Sequence, residues 1–171
     1  MEAILSRRSV RKYTSEPVSD DVVKELLRGA MSAPSAGNER PWHFVIIRDR
    51  KTMGEIQKFH PFARMLDEAP VAILVCGDQS LEKYRGFWVQ DCSAATENIL
   101  IAVQSMGLGA VWLGLYPIKE RVEGMRRLLG IPENVIPLSL VSIGHPVEKK
   151  TASDRYDASR VHREIWEAQE G

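Results

Sequence analysis

The chain has 171 residues, 44% of them hydrophobic, which is enough for one sizeable core, so a single domain over 1–171 is expected. Lys plus Arg and Asp plus Glu each total 23, and a formal charge of zero argues against a global field that would attract nucleic acid or an anionic membrane. Cys76 and Cys92 are the two cysteines; lacking the spacing of a disulfide scaffold or metal finger, they read as buried thiols in a reducing, cytoplasmic setting.

The opening Met-Glu-Ala-Ile-Leu-Ser-Arg-Arg places its charges after a brief apolar stretch, unlike a secretory leader. Ser19 is positioned to cap a helix that carries Asp20 and Asp21 in its first turn and Val23, Leu26, Leu27 and Ala30 on its buried face, with Pro34 as the stop. The turn-rich loop 33–41 leads into a β-branched strand at 43–47. Short helices are expected at 51–59 and 61–67, and a buried strand at 71–75. Residues 92–106 are apolar or small almost all round, so that helix should be enclosed on every side, one of them offered by a partner subunit. Gly107 and Gly109 suit its end, and Gln104 with those glycines breaks the apolar stretch 98–115 too often for a bilayer span. A strand at 110–115 follows. Ile118, Val122, Met125 and Leu129 form the stripe of a helix closed at Gly130, and 138–143 is the last strand. After Pro146 the chain turns polar, with a weak helical pattern at 158–168, and such a tail is either disordered or laid across a partner. The uneven alternation suits a layered α+β fold.

Three segments carry chemistry. Arg7, Arg8, Arg11 and Lys12, with Ser9 among them, have the forked donors that grip a phosphate monoester, although on charge alone the run reads as a solvated basic face. Pro34, Ser35 and Asn38 lie in a glycine-bearing loop that can present backbone groups to a planar heterocycle, or can simply connect helix to strand. Gly114 permits close approach of backbone to a flat ligand, or merely ends a strand. His43, His60, His145 and His162 share no ligand spacing, so no metal is expected. A GxSxG elbow and a GxGxxG fingerprint are both absent.

Taken in order, Arg7-Arg-Ser-Val-Arg11, Ala33-Pro-Ser-Ala-Gly-Asn-Glu-Arg-Pro-Trp42, Gln90-Asp-Cys-Ser-Ala-Ala-Thr-Glu-Asn98, Gly107-Leu-Gly-Ala-Val-Trp-Leu-Gly114 and Ile143-Gly-His-Pro146 resemble the nitroreductase family of flavin enzymes, from Ser6 to about Trp166. The resemblance implies an α+β fold with a mixed, mostly antiparallel sheet flanked by helices, built as an intertwined homodimer with FMN at the subunit interface. Residues 147–171 would be a C-terminal arm over the partner. By the same resemblance, Arg7, Arg8, Ser9 and Arg11 hold the phosphate, the ribityl chain and the N1/C2 side of the flavin, with Arg11 as electrostatic support. Pro34, Ser35 and Asn38 meet the ring from the partner chain, and Gly114 and Leu115 present backbone at N5. Arg155 matches a late phosphate-binding cation, while Ser153 stands where the family often has another; Arg64 aligns with a further flavin-contacting cation only across a gap.

The implied activity is ping-pong transfer of hydride from NADH or NADPH to a small acceptor such as a nitroaromatic or quinone, with no protein-borne catalytic residue because the flavin carries the chemistry. Rival expectations are another flavin reaction on the same scaffold, such as dehalogenation or flavin fragmentation, and a flavin-binding sensor or storage protein without turnover. Segment 77–89 is short for a lid, which suggests a broad acceptor range; Tyr84, Phe87 and Trp88 either roof the pocket or join the core.

Overall fold

The computed structural model describes residues 1–148 and 151–166. Five α-helices and four strands follow one another as α1 (Glu2–Ser6), α2 (Asp20–Met31), β1 (Trp42–Ile47), α3 (Arg50–Phe59), β2 (Val71–Asp78), α4 (Trp88–Ser105), β3 (Gly109–Gly114), α5 (Lys119–Leu129) and β4 (Val135–Gly144) among the described residues. Local chemistry sets several boundaries. Ser19 Oγ accepts the Val22 N–H at 3.3 Å and starts α2, Asp49 accepts the Thr52 N–H at 2.8 Å and starts α3, and Gly130 closes α5 in the left-handed region.

The strands lie in the order β1-β2-β4-β3, and every ladder between them is antiparallel. The expected mixed character is reduced to one isolated parallel bridge, Ser9 to Ala110, because the N-terminal segment touches the sheet edge without forming a strand. β2 is buried along its whole length. Its alternate side chains feed two cores: Val71, Ile73 and Val75 join α2 and α4 on one face, while Ala72, Leu74 and Cys76 join Met53, Ile56 and Met125 from α3 and α5 on the other. A central strand with both faces covered explains why 71–75 reads as a continuous apolar run.

Tyr13 anchors the segment after α1. Its hydroxyl donates to the Val10 carbonyl at 2.8 Å and lies 2.8 Å from Ser142 Oγ, and burial pushes this phenol above its usual range. Gly109 allows the close approach, since a Cβ there would stand 2.7 Å from Val10 Cγ1. The arginine-bearing segment is thereby pressed against the end of β3.

Several boundaries differ from expectation. α2 stops at Met31, three residues before Pro34, and α4 begins at Trp88, a full turn before residue 92. Ile118 is exposed because it precedes α5 as the cap residue instead of joining its stripe. α4 is not enclosed all round within one chain: Ser93, Ala94 and Ile101 stay half-buried opposite the face that packs on the sheet. Residues 151–166 are almost wholly exposed, with one short helical turn at Ala158–Arg160; the expected pattern beyond 166 lies outside the described residues. No helix among the described residues is long and apolar enough to cross a membrane.

Candidate functional site

β3 is an outer strand, so one row of its backbone groups faces away from the sheet. Leu115 N–H donates inward to the Leu138 carbonyl at 3.0 Å, whereas the Ala110 carbonyl accepts the Val10 N–H at 2.9 Å on the outer side. Antiparallel strands alternate these directions residue by residue, which turns Gly114 outward with Ala110 and Trp112. Of the two residues expected to present backbone to a ligand, Gly114 faces out, while Leu115 is buried with its N–H already bonded.

Gly114 opens onto a cleft of about 450 Å³ to which the N-terminal segment gives Arg11, the stretch after α3 gives His60, Phe62 and Arg64, β3 gives Trp112, and α5 gives Arg121. The Gly114 carbonyl accepts from Arg121 Nη1 at 2.8 Å and from His60 Nε2 at 3.2 Å, which assigns the imidazole proton to Nε2. Burial, reinforced by the neighbouring Arg121 charge, holds His60 below the ordinary histidine value, so it is a neutral donor near pH 7. The field of the cleft therefore comes from the guanidiniums of Arg11, Arg64 and Arg121, and no carboxylate among the described residues lines it. A Cβ at Gly114 would meet nothing within 4 Å, so the space beside this backbone is open.

The expected phosphate cluster is dispersed in a single chain. Arg7 Nε lies 3.5 Å from Glu97 Oε1 on α4. Arg8 is committed to carbonyls, donating to Leu5 at 3.0 Å, Arg7 at 2.6 Å and Thr151 at 3.1 Å, and its Nη2 reaches Ser153 Oγ at 3.2 Å. Ser9 sits on the bridge to Ala110, and Arg11 alone of the four reaches the cleft. Arg155 is exposed two residues beyond Ser153, with no hydrogen bond or ion pair among the described residues. The chain fold thus brings the stretch carrying Arg155 to Arg8.

Pro34 and Asn38 are exposed and Ser35 half-buried, in a loop packed on the first turn of α4; none of the three lines the cleft of its own chain. Gly37, Asn38 and Arg40 all have positive φ, at 52°, 56° and 47°, a conformation that needs outside support where the residue is not glycine. Support is ample. Ser35 Oγ accepts the Arg40 N–H at 3.0 Å, Asp91 Oδ1 accepts the Ala36 N–H at 3.0 Å, and Lys83 Nζ donates to the Gly37 carbonyl at 3.1 Å. Tyr84 covers Gly37 so closely that a Cβ there would be 2.5 Å from its ring. Trp88 belongs to the core, leaving Tyr84 and Phe87 as the exposed aromatics of the short 77–89 segment.

Beneath this loop lies a pair that sequence reasoning missed. Glu39 Oε2 accepts the N–H groups of Lys83 at 2.6 Å and Tyr84 at 3.1 Å, and its buried Oε1, like Asp91 Oδ2, has no conventional donor. The two carboxyls interact directly. Burial, with the Glu39 carboxyl beside it, pushes Asp91 above the usual carboxylate value, while on Glu39 the two backbone donors outweigh burial and hold it low, so of the two it is Asp91 that takes up a proton first as pH falls. Fifty-two positions separate these residues in the sequence, and no local motif joins them.

The nitroreductase family model matches residues 4–63 and 60–145. A relative from Methanothermobacter thermautotrophicus, named "Putative NADH dehydrogenase/NAD(P)H nitroreductase", is 52% identical over 166 residues, covering 97% of this chain and 87% of the relative. A protein of the same name from Parabacteroides distasonis has a crystal structure that superposes with a TM-score of 0.93 at 43% identity, covering 96% of this chain and 97% of that one. A chain from Desulfovibrio desulfuricans, solved in complex with FMN, gives a TM-score of 0.83 at 31% identity over 97% of this chain and 96% of its own. With its fold, its ordered motifs and these matches in agreement, the chain belongs to the nitroreductase family.

Proposed function

We propose that this chain is an oxidoreductase that binds FMN along the open edge of β3, takes hydride from NADH or NADPH and passes it to small acceptors such as nitroaromatics or quinones by a ping-pong mechanism. The observation that carries this reading is Gly114, whose side-chain-free backbone faces a cleft that holds the guanidinium of Arg11 and, among the described residues, no carboxylate. These groups fit the pyrimidine half of a flavin: Gly114 for N5, and Arg11 for the negative charge that accumulates at N1/C2. When bound, FMN supplies the ring that accepts and donates hydride. The chain's part is to orient that ring, with His60 and Arg121 fixing the Gly114 peptide through its carbonyl.

Arg7, Arg8 and Ser9, with Arg155 brought near through Ser153, are proposed to hold the phosphate and ribityl chain, which requires Arg7 to exchange Glu97 for the anion. Pro34, Ser35 and Asn38 are proposed to reach the ring from a second chain, since Pro34 and Asn38 are exposed, Ser35 is half-buried, and all three lie outside the cleft of their own. The names of the relatives support the donor class, and the FMN-bound Desulfovibrio desulfuricans structure supports the cofactor.

Anaerobic mixing of the flavin-loaded protein with NADH or NADPH is the test. Bleaching of the flavin band near ~450 nm, followed by its recovery on adding a nitroaromatic or quinone, is the expected result. Bound flavin that does not bleach with either donor would make the protein a binder without turnover.

A further inference from the structure

Arg121 has more capacity than holding one carbonyl requires. Its Nη1 donates to Gly114 at 2.8 Å, and its remaining donors have no hydrogen-bond acceptor among the described residues. Its own helix does not neutralise it, because the positions three and four residues away on either side are Pro117, Ile118, Gly124 and Met125. The guanidinium lies 5.5 Å from the ring centre of Phe62, which is 68% exposed at the mouth of the cleft. Arg11 and Arg64 enter the same cleft, and no carboxylate among the described residues lines it, in a chain whose charges balance overall. A flavin ring develops one negative charge, at its N1/C2 side, so three guanidiniums around one cleft leave positive charge in excess.

We infer that Arg121, seated on Phe62, is a specificity-determining residue that recognises a negatively charged substituent, carboxylate or phosphate, on the aromatic substrate that stacks against the flavin. The exposed Phe62 ring offers an apolar platform, and the guanidinium fork beside it offers two-pronged donation to an oxyanion. Such an anion has two possible sources: an acidic group on the acceptor, or a phosphate of the nicotinamide donor. The inference rests on the flavin reading above, and the test keeps the two separable.

The experiment uses the flavin-loaded protein with Arg121→Gln and Arg121→Lys. Gln keeps an N–H for the Gly114 carbonyl but no charge, whereas Lys keeps the charge. Two near-isosteric acceptors of different charge, 4-nitrobenzoate and 4-nitrobenzamide, are compared in kcat/KM, and NADPH is compared with NADH in the anaerobic bleaching rate. Calorimetric titration of 4-nitrobenzoate and 4-nitrobenzamide into the oxidised protein, with no donor present, reads recognition without turnover. The wild type should favour the more anionic member of at least one pair, and Arg121→Gln should reduce that preference roughly tenfold or more, with Lys restoring most of it. Loss confined to the nitrobenzoate pair, in rate and heat alike, assigns the anion to the acceptor. Loss confined to NADPH assigns it to the donor. Unchanged ratios in both pairs overturn the inference while leaving the flavin reading intact, and a flavin-loaded wild type that reduces no acceptor overturns both.

Discussion

At the scale of single residues, the site turns on what is missing from Gly114. The cleft beside it is open, its carbonyl is fixed by Arg121 and His60, and its backbone conformation is an ordinary strand one. Gly114→Val should therefore fold with a stability within about 1 kcal/mol of the parent, since a β-branched residue suits an edge strand. The same side chain would fill the space assigned to the ring, so FMN affinity should fall by roughly tenfold or more. Thermal melting and FMN titration of the variant check both halves, and a variant that binds FMN as the parent does would remove Gly114 from the site. Arg11 and Gly114 were legible in the sequence because each belongs to a local motif. His60, Phe62 and Arg121 were not, because they come from the end of α3, the turn after it and α5 and meet only across the sheet edge.

At the scale of elements, the loop before β1 is held to α4 through Asp91, which accepts the Ala36 N–H and sits against the Glu39 carboxyl. Asp91, with its raised value, adds stability that is fully present below the ordinary carboxylate range and is lost as pH rises through the raised value; Glu39, held low, adds stability that is lost as pH falls through its own. Asp91→Asn imitates the protonated form, since its amide oxygen accepts the Ala36 N–H and its NH₂ donates to Glu39. At pH 8 the variant should be the more stable by about 1 kcal/mol, the usual worth of a neutral buried hydrogen bond, and the gap should narrow as pH falls towards 4. Denaturant melts across that range decide the matter, and a variant less stable at pH 8 would refute the raised value of Asp91. The sequence showed this loop's turn chemistry but not what lies beneath it. It likewise marked the capped start of α2 and the glycine stop of α5, and it missed α1, a five-residue helix that buries nothing and so leaves no apolar period to read.

At the scale of the whole molecule, three features remain unaccounted for in one chain. α4 leaves Ala94 and Ile101 half-buried on the side away from the sheet, and residues 151–166 extend with almost no contacts beyond those made by Arg8. The loop carrying Pro34, Ser35 and Asn38 is also absent from the cleft. We propose a second copy packed along α4, which would answer all three by covering the helix, receiving the tail and bringing its loop to the ring; the layered fold was legible in the periodicity, and the apolar girth of 92–106 and the polar tail pointed to a partner without fixing where its loop would reach. The central claim is thus a flavin site completed by two chains. Sedimentation velocity, recorded at protein and flavin wavelengths after incubation with excess FMN, tests it most directly. Flavin absorbance should travel with a particle of twice the 19.3 kDa chain mass, at one FMN per chain. A colourless boundary at the single-chain mass would contradict it.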